Sequence, residues 1–397
     1  MMTYQQATAK LLAMSVEAER QSLTFLFSAA ELIRLLQKLV HAIQLERGAS
    51  VLYLTSRGAD RFLVKTLAYR QDFDKQEAMF KARLDKELDT SFCLPSGVYL
   101  RLATLLQALG GLENLRNSVD KKQVNPLDAI QQFSHVIHTI FNYVFDLAEQ
   151  APDAEIARAM LALFNFMQAK EAAGQERAIG VAVLGGVKKT DFSEILNAKV
   201  EQQSNAFSVF KLFASQSQLK KLLQLKSQPY RQELDAWRQG FKFHKQADFE
   251  KAEAWFELMT KRIDGFQSLE DELTSYLQLV SAQRLQQGFS RFNQSGHSIE
   301  NILADQQFDI NENMTKLQGA SKILLERFQA QSKQLMQMEA ELVIAKQALL
   351  DRRFIERAKS ILIVQKGLTE EQAHQFLQAQ AMKNGQRLVD VAKLILK

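Results

Sequence analysis

The chain has 397 residues, 46% of them apolar and 24% charged, which places it with soluble globular proteins of two or three domains and apart from disordered or fibrous chains. With one cysteine, Cys93, no intrachain disulfide can form. A formal charge of +5 is too small to make the whole surface a polyanion-binding face, so any nucleic-acid contact is expected to be confined to one region.

Pro95, Pro126, Pro152 and Pro229 are the only prolines and glycine is sparse, so the expected fold class is all-α. Residues 1–22 read as a polar lead-in, followed by a first long helix over about 23–57. Ser56 to Asp60 breaks it, and a second helix is expected to about Leu88, a third from the Pro95 loop to about Leu115, and a fourth opened by Asn125 as cap and Pro126 at the first helical position. Short connections make these antiparallel neighbours in a four-helix bundle. Asp153 starts a second series, with a long helix followed by helices at about 192–226, 229–241 and 246–287, a second bundle. Residues 293–297 read as the joint to a connector. Met314, Leu317, Leu324, Phe328, Leu335, Met338, Leu342, Ala345 and Leu349 then step by threes and fours, the seam of a coiled coil, expected to make a homodimer. The expected divisions are a lead-in (1–22), a double helical bundle (23–290), a linker and coil (291–341) and a C-terminal domain (342–397).

The first helix carries the most unusual residue. Leu36, Val40, Ile43, Arg47, Val51 and Leu54 share one face, apolar but for Arg47. A guanidinium stays charged when buried and so requires an anion: a carboxylate from another helix, or a ligand. Glu46 projects about 100° away around the helix and is poorly placed to serve. Gly48 beside it permits close approach of another element. The second series repeats the pattern. Glu176-Arg177, then a small residue at Gly180, then Val181, parallels Glu46-Arg47, Ser50 and Val51. A third cation, Arg231, sits at the start of the helix after Pro229, where it opposes the helix dipole; either an anion binds there or the guanidinium lies in water at little cost.

No paired carboxylates, metal-ligand spacing or nucleophile constellation is present; His135 and His138 alone do not make a ligand set. No cofactor is expected, and the chain does not read as an enzyme. No leader peptide pattern and no apolar run of spanning length occurs, so the expected location is the cytoplasm, away from membrane.

Gln44, Glu46, Arg47, Gly48 and Ser50 resemble the signature of the nitrate- and nitrite-sensing domain family, a Leu-Gln-x-Glu-Arg-Gly-x-Ser pattern on its first long helix. The resemblance implies nitrate or nitrite as ligand, with Arg47 and Arg231 or Arg177 as the anion-binding cations. Asp351-Arg352-Arg353-Phe354-Ile355-Glu356-Arg357-Ala358-Lys359, Gly367 to Ala373, Phe376-Leu377, Ala381-Met382 and Arg387 to Ala392 resemble the ANTAR family of RNA-binding antitermination domains, with Ser360 where that family usually has glycine. In this stretch Thr369 and Gln372 read as a capping box, and Leu388, Val391 and Ile395 as the core stripe of a third helix. The resemblance implies a three-helix domain that binds hairpins of a leader mRNA, and the basic residues best placed to meet its phosphates are Arg353, Lys359, Lys383 and Arg387. Together the two imply a nitrate- or nitrite-responsive antitermination regulator; an anion-sensing or coiled-coil scaffold without RNA activity is the alternative.

Overall fold

The computed structural model describes residues 4–56, 59–88, 96–149, 151, 153–187, 192–227, 230–241, 246–302, 358–359, 362, 370–384 and 388–395. Among them the chain is helical throughout, with no strand, and falls into two compact units, one up to Leu317 and one from Gln318. No described helix is long and apolar enough to cross a membrane.

The first unit contains ten helices among the described residues: α1 (Tyr4–Thr55), α2 (Asp60–Leu88), α3 (Ser96–Gly110), α4 (Leu112–Asp120), α5 (Pro126–Glu149), α6 (Ala154–Leu184), α7 (Phe192–Phe213), α8 (Gln216–Lys226), α9 (Tyr230–Gly240) and α10 (Phe249–Ile302). They form the two expected bundles, α1 to α5 and α6 to α10. The bundles are joined through their leading helices: α1 packs on α2, α5, α6 and α10, and α6 packs on α1, α5, α7 and α10. From about Leu26 onward α1, like most of α6, is buried around its circumference, which explains why both are apolar on most sides there. In α1 the expected stripe is buried from Leu36 to Val51, Arg47 included at 0% exposure.

Local chemistry sets the helix ends. Asn125 Oδ1 accepts from the Asp128 amide at 2.9 Å, with Pro126 next to it as expected. Asp153 Oδ1 accepts from the amides of Glu155 and Ile156, each at 3.0 Å, which starts α6. Four boundaries differ from the expectation. The lead-in is helical from Tyr4, as the first turns of α1. The third helix is two, parted at Gly111, a poor helix former whose amide is shared between the Gln107 and Ala108 carbonyls. The span 192–226 is also two helices, since Ser215 forms a capping box with Gln218 and opens α8. Finally, α10 runs unbroken through 293–297, where the lone Gly296 does not interrupt it.

The second unit contains α11 (Glu370–Asn384) and α12 (Leu388–Ile395), with Ala358, Lys359 and Leu362 helical before them. Ala358, Leu362, Ala373, Leu377, Ala381, Val391 and Ala392 form its core, edged by Phe376 and Ile395. The seam 314–349, Arg353, Thr369 and Arg387 lie outside the described residues, as do the side chains of Lys383 and Leu388.

Candidate functional site

One of the places where the two bundles meet is the crossing of α1 with α6, and it is built around two arginines. A Cβ on Gly48 of α1 would lie 2.7 Å from Nη2 of Arg177, and a Cβ on Gly174 of α6 would lie 2.6 Å from Nη2 of Arg47. Each guanidinium therefore occupies the space over a glycine of the opposite helix. Arg47 and Arg177 are both 0% exposed, so the structure brings these two sequence-derived candidates together in the interior.

Their partners follow the internal repeat. Nη1 of Arg47 donates to Ser134 Oγ of α5 at 2.8 Å; Nη1 of Arg177 donates to Thr260 Oγ1 of α10 at 2.9 Å. The symmetry fails in the counter-charge. Arg47 forms a fork with Glu171 of α6, through Nη1 at 2.5 Å and Nη2 at 3.1 Å. Arg177 donates instead to the carbonyl of Gln44 at 2.5 Å and makes no ion pair with any carboxylate among the described residues. The residue six positions before each arginine accounts for this: Glu171 precedes Arg177 in α6, and His41 precedes Arg47 in α1.

The titration behaviour follows the geometry. Burial lowers Arg177 to about 10, and Arg47 beside it pushes the same way. Burial also raises the Glu171 carboxyl, but the charge and hydrogen bonds of Arg47 outweigh it, and the net shift is downward. His41 is held well below its ordinary value by burial, then by Lys170 and Arg177, and so is neutral. Nε of Arg47, Nε of Arg177 and Nδ1 of His41 are buried without a hydrogen-bond partner. Buried polar atoms are normally paired, so the two guanidinium Nε–H groups leave the crossing with donor capacity to spare for an anion.

Acids adjacent to the arginines do a different job. Glu46 is 0% exposed and accepts from Nε of Arg70 (3.0 Å), Nε of Arg116 (2.8 Å) and Nη2 of Arg116 (2.8 Å), which ties α2 and α4 to α1. Glu176 repeats this on α6, accepting from Arg238 of α9 at 2.7 and 2.9 Å, Arg262 of α10 at 3.4 Å and Gln203 of α7 at 2.7 Å. Arg231, the third cation named from the sequence, does not join the crossing. Its side chain is 69% exposed on α9 and its nearest carboxylate is Asp235, 4.0 Å away and one turn on. Solvent screens that charge, so a cation at a helix start needs no bound anion there. The cation of α9 that reaches inward is Arg238.

The chain matches the family model described as nitrate and nitrite sensing over residues 38–278, and the ANTAR domain over 345–396. The chain belongs to the nitrate and nitrite sensing family. Within it, the chain is 31% identical over 392 residues to the nitrate regulatory protein of Klebsiella oxytoca, a match spanning 95% of this chain and 92% of that one. It also superposes on the solved structure of the NasR transcription antiterminator with a TM-score of 0.68 at 28% identity, over 98% of each chain. The region matched to the sensing family holds the whole arginine crossing.

In the ANTAR domain Lys359 is 8% exposed and sits next to the core residue Ala358. Helix α12 buries Val389, Val391 and Ala392, with Ile395 at the edge of the core. No group of three or more His, Cys, Asp or Glu side chains fit to hold a metal ion occurs among the described residues.

Proposed function

We infer that the protein is a nitrate- and nitrite-responsive regulator of transcription antitermination, a sensor joined to an RNA-binding domain and not an enzyme. Nitrate or nitrite binds at the α1–α6 crossing on Arg47 and Arg177. The observation that carries this is Arg177, fully buried beside a second arginine with no carboxylate of its own. Nitrate is a planar monoanion whose oxygens match guanidinium forks. An anion there ties a first-bundle arginine to a second-bundle arginine and so favours one relative arrangement of α1 and α6. A ligand shifts such an equilibrium only by its differential affinity for the two arrangements. Arg177 also holds Thr260 of α10, the last helix before the connector, which gives the crossing a route toward the C-terminal domain.

The output is binding to hairpins of a leader mRNA, with Arg353, Lys359, Lys383 and Arg387 supplying phosphate contacts and the seam at 314–349 pairing two copies. A regulator of transcription with no described spanning helix works in the cytoplasm. The test is thermal unfolding of the full chain against sodium nitrate, since a ligand that binds only the folded state raises the midpoint with occupancy. Wild type is expected to rise and Arg47→Ala and Arg177→Ala to stay flat while remaining helical. A full response in both variants would contradict the site.

A further inference from the structure

We propose that Glu171 is an internal competitor for the anion: its carboxylate occupies the position on Arg47 that nitrate takes, and so sets the anion concentration at which the sensor responds. The proposal rests on the assignment of the crossing as the nitrate site. It starts from the donors around the carboxylate. Oε1 of Glu171 accepts from Nη1 of Arg47 at 2.5 Å and from Nε2 of Gln175 at 2.8 Å; Oε2 accepts from Nη2 of Arg47 at 3.1 Å and from Nε2 of Gln44 at 2.9 Å. Four donors from two helices thus converge on one planar, delocalised monoanion. Nitrate has the same charge, the same planarity and one oxygen more. Two of its oxygens can meet the Arg47 fork while the third faces a glutamine amide.

The charge count points the same way. The groups in contact at the crossing are two guanidiniums and one carboxylate, because the position equivalent to Glu171 holds the neutral His41. One further monoanion brings these three groups to neutrality, with the charge of Asp264 also acting on Arg177. Arg177, which makes no ion pair with a carboxylate among the described residues, is the second guanidinium that the bound nitrate shares with Arg47. A site with no internal anion would leave Arg47 buried and unpaired, which is strongly destabilising. Glu171 therefore keeps the sensor folded at low nitrate, at the expense of affinity. The apparent dissociation constant is the intrinsic one divided by the fraction of molecules in which Arg47 is released.

Two substitutions separate this from a purely structural salt bridge. Glu171→Gln removes the competing charge in nearly the same shape. Glu171→Asp keeps the charge but draws it back from the fork, which separates competition from net charge. The experiment is thermal unfolding of the full-length protein against sodium nitrate, with sodium chloride at matched ionic strength. If Arg47 is released in a tenth of molecules or fewer, the half-maximal nitrate concentration should fall by about tenfold or more in Glu171→Gln. It should fall by a smaller factor in Glu171→Asp, and both variants should melt below wild type without nitrate. An unchanged or raised half-maximal concentration in Glu171→Asp overturns the proposal, whatever Glu171→Gln does. If Glu171→Gln fails to fold, the Asp variant decides alone. Absence of any nitrate response in wild type, or its survival in Arg47→Ala, instead overturns the site assignment.

Discussion

Glu46 and Glu176 should be structural ties rather than ligand groups, and Glu46→Gln tests this. Glu46 is 0% exposed and accepts three bonds of 2.8–3.0 Å from Arg70 and Arg116, whose side chains are 9% and 17% exposed. Glutamine keeps one acceptor but turns an amide NH2 toward an arginine donor and removes the charge. Breaking a buried ion pair from one side costs about 3–5 kcal/mol. Arg70 keeps Asp120 and Arg116 keeps Asp74, so the loss belongs at the lower end, about 3 kcal/mol. Glu176→Gln should lose a similar amount, because Arg238, Arg262 and Gln203 converge on it in the same way. Glu253→Gln is the control: its partner Arg61 is 66% exposed, and such pairs contribute about 1 kcal/mol or less. Urea unfolding followed by circular dichroism reads all three. Both buried variants should also keep the nitrate concentration of half response. A loss under about 1 kcal/mol in Glu46→Gln, or loss of the nitrate response in a folded variant, would refute the structural assignment.

Other outcomes follow from the same geometry. Gly180→Ala would place a Cβ 2.2 Å from Nε1 of Trp255, which donates to the Arg177 carbonyl at 3.1 Å. Overpacking there should cost about 1–3 kcal/mol and change the tryptophan fluorescence. Lys170→Met should destabilise by about 3–5 kcal/mol, because it strips Glu270 of its buried cation at 2.5 Å, and adding Glu270→Gln should recover most of that in urea unfolding. His41 is held below its usual 6.5, so the folded state binds fewer protons than the unfolded one on acidification. Stability should therefore fall as pH drops below about 6.5, by up to about 1.4 kcal/mol per unit from this group. His41→Gln should flatten that part of the profile.

Much of the sensor is legible in the sequence because it is local. The stripe from Leu36 to Val51 shows that Arg47 is buried, and the echo at Glu176-Arg177 shows that the motif is used twice. The identity of the counter-charge is not legible. Glu171 lies 124 residues from Arg47, and nothing near either residue marks them as partners. A register comparison of α1 with α6 would have set Glu171 opposite His41 and raised the question. The place of Arg231 at a helix start is a local electrostatic signal that solvent screening makes weak. The better signal on α9 is Leu234 and Arg238, one turn apart on the face that turns inward, with Leu234 4% exposed. The two split helices had visible punctuation, Gly110-Gly111 and Ser215-x-x-Gln218.

The central claim is that occupancy of the arginine crossing governs RNA binding by the C-terminal domain. Its most direct test is a gel shift of the full-length protein on a leader hairpin RNA, with and without nitrate, for wild type and Arg177→Ala. The account predicts that nitrate tightens the wild-type complex and leaves the complex of a folded Arg177→Ala unchanged. A nitrate-dependent shift of equal size in both proteins would contradict it.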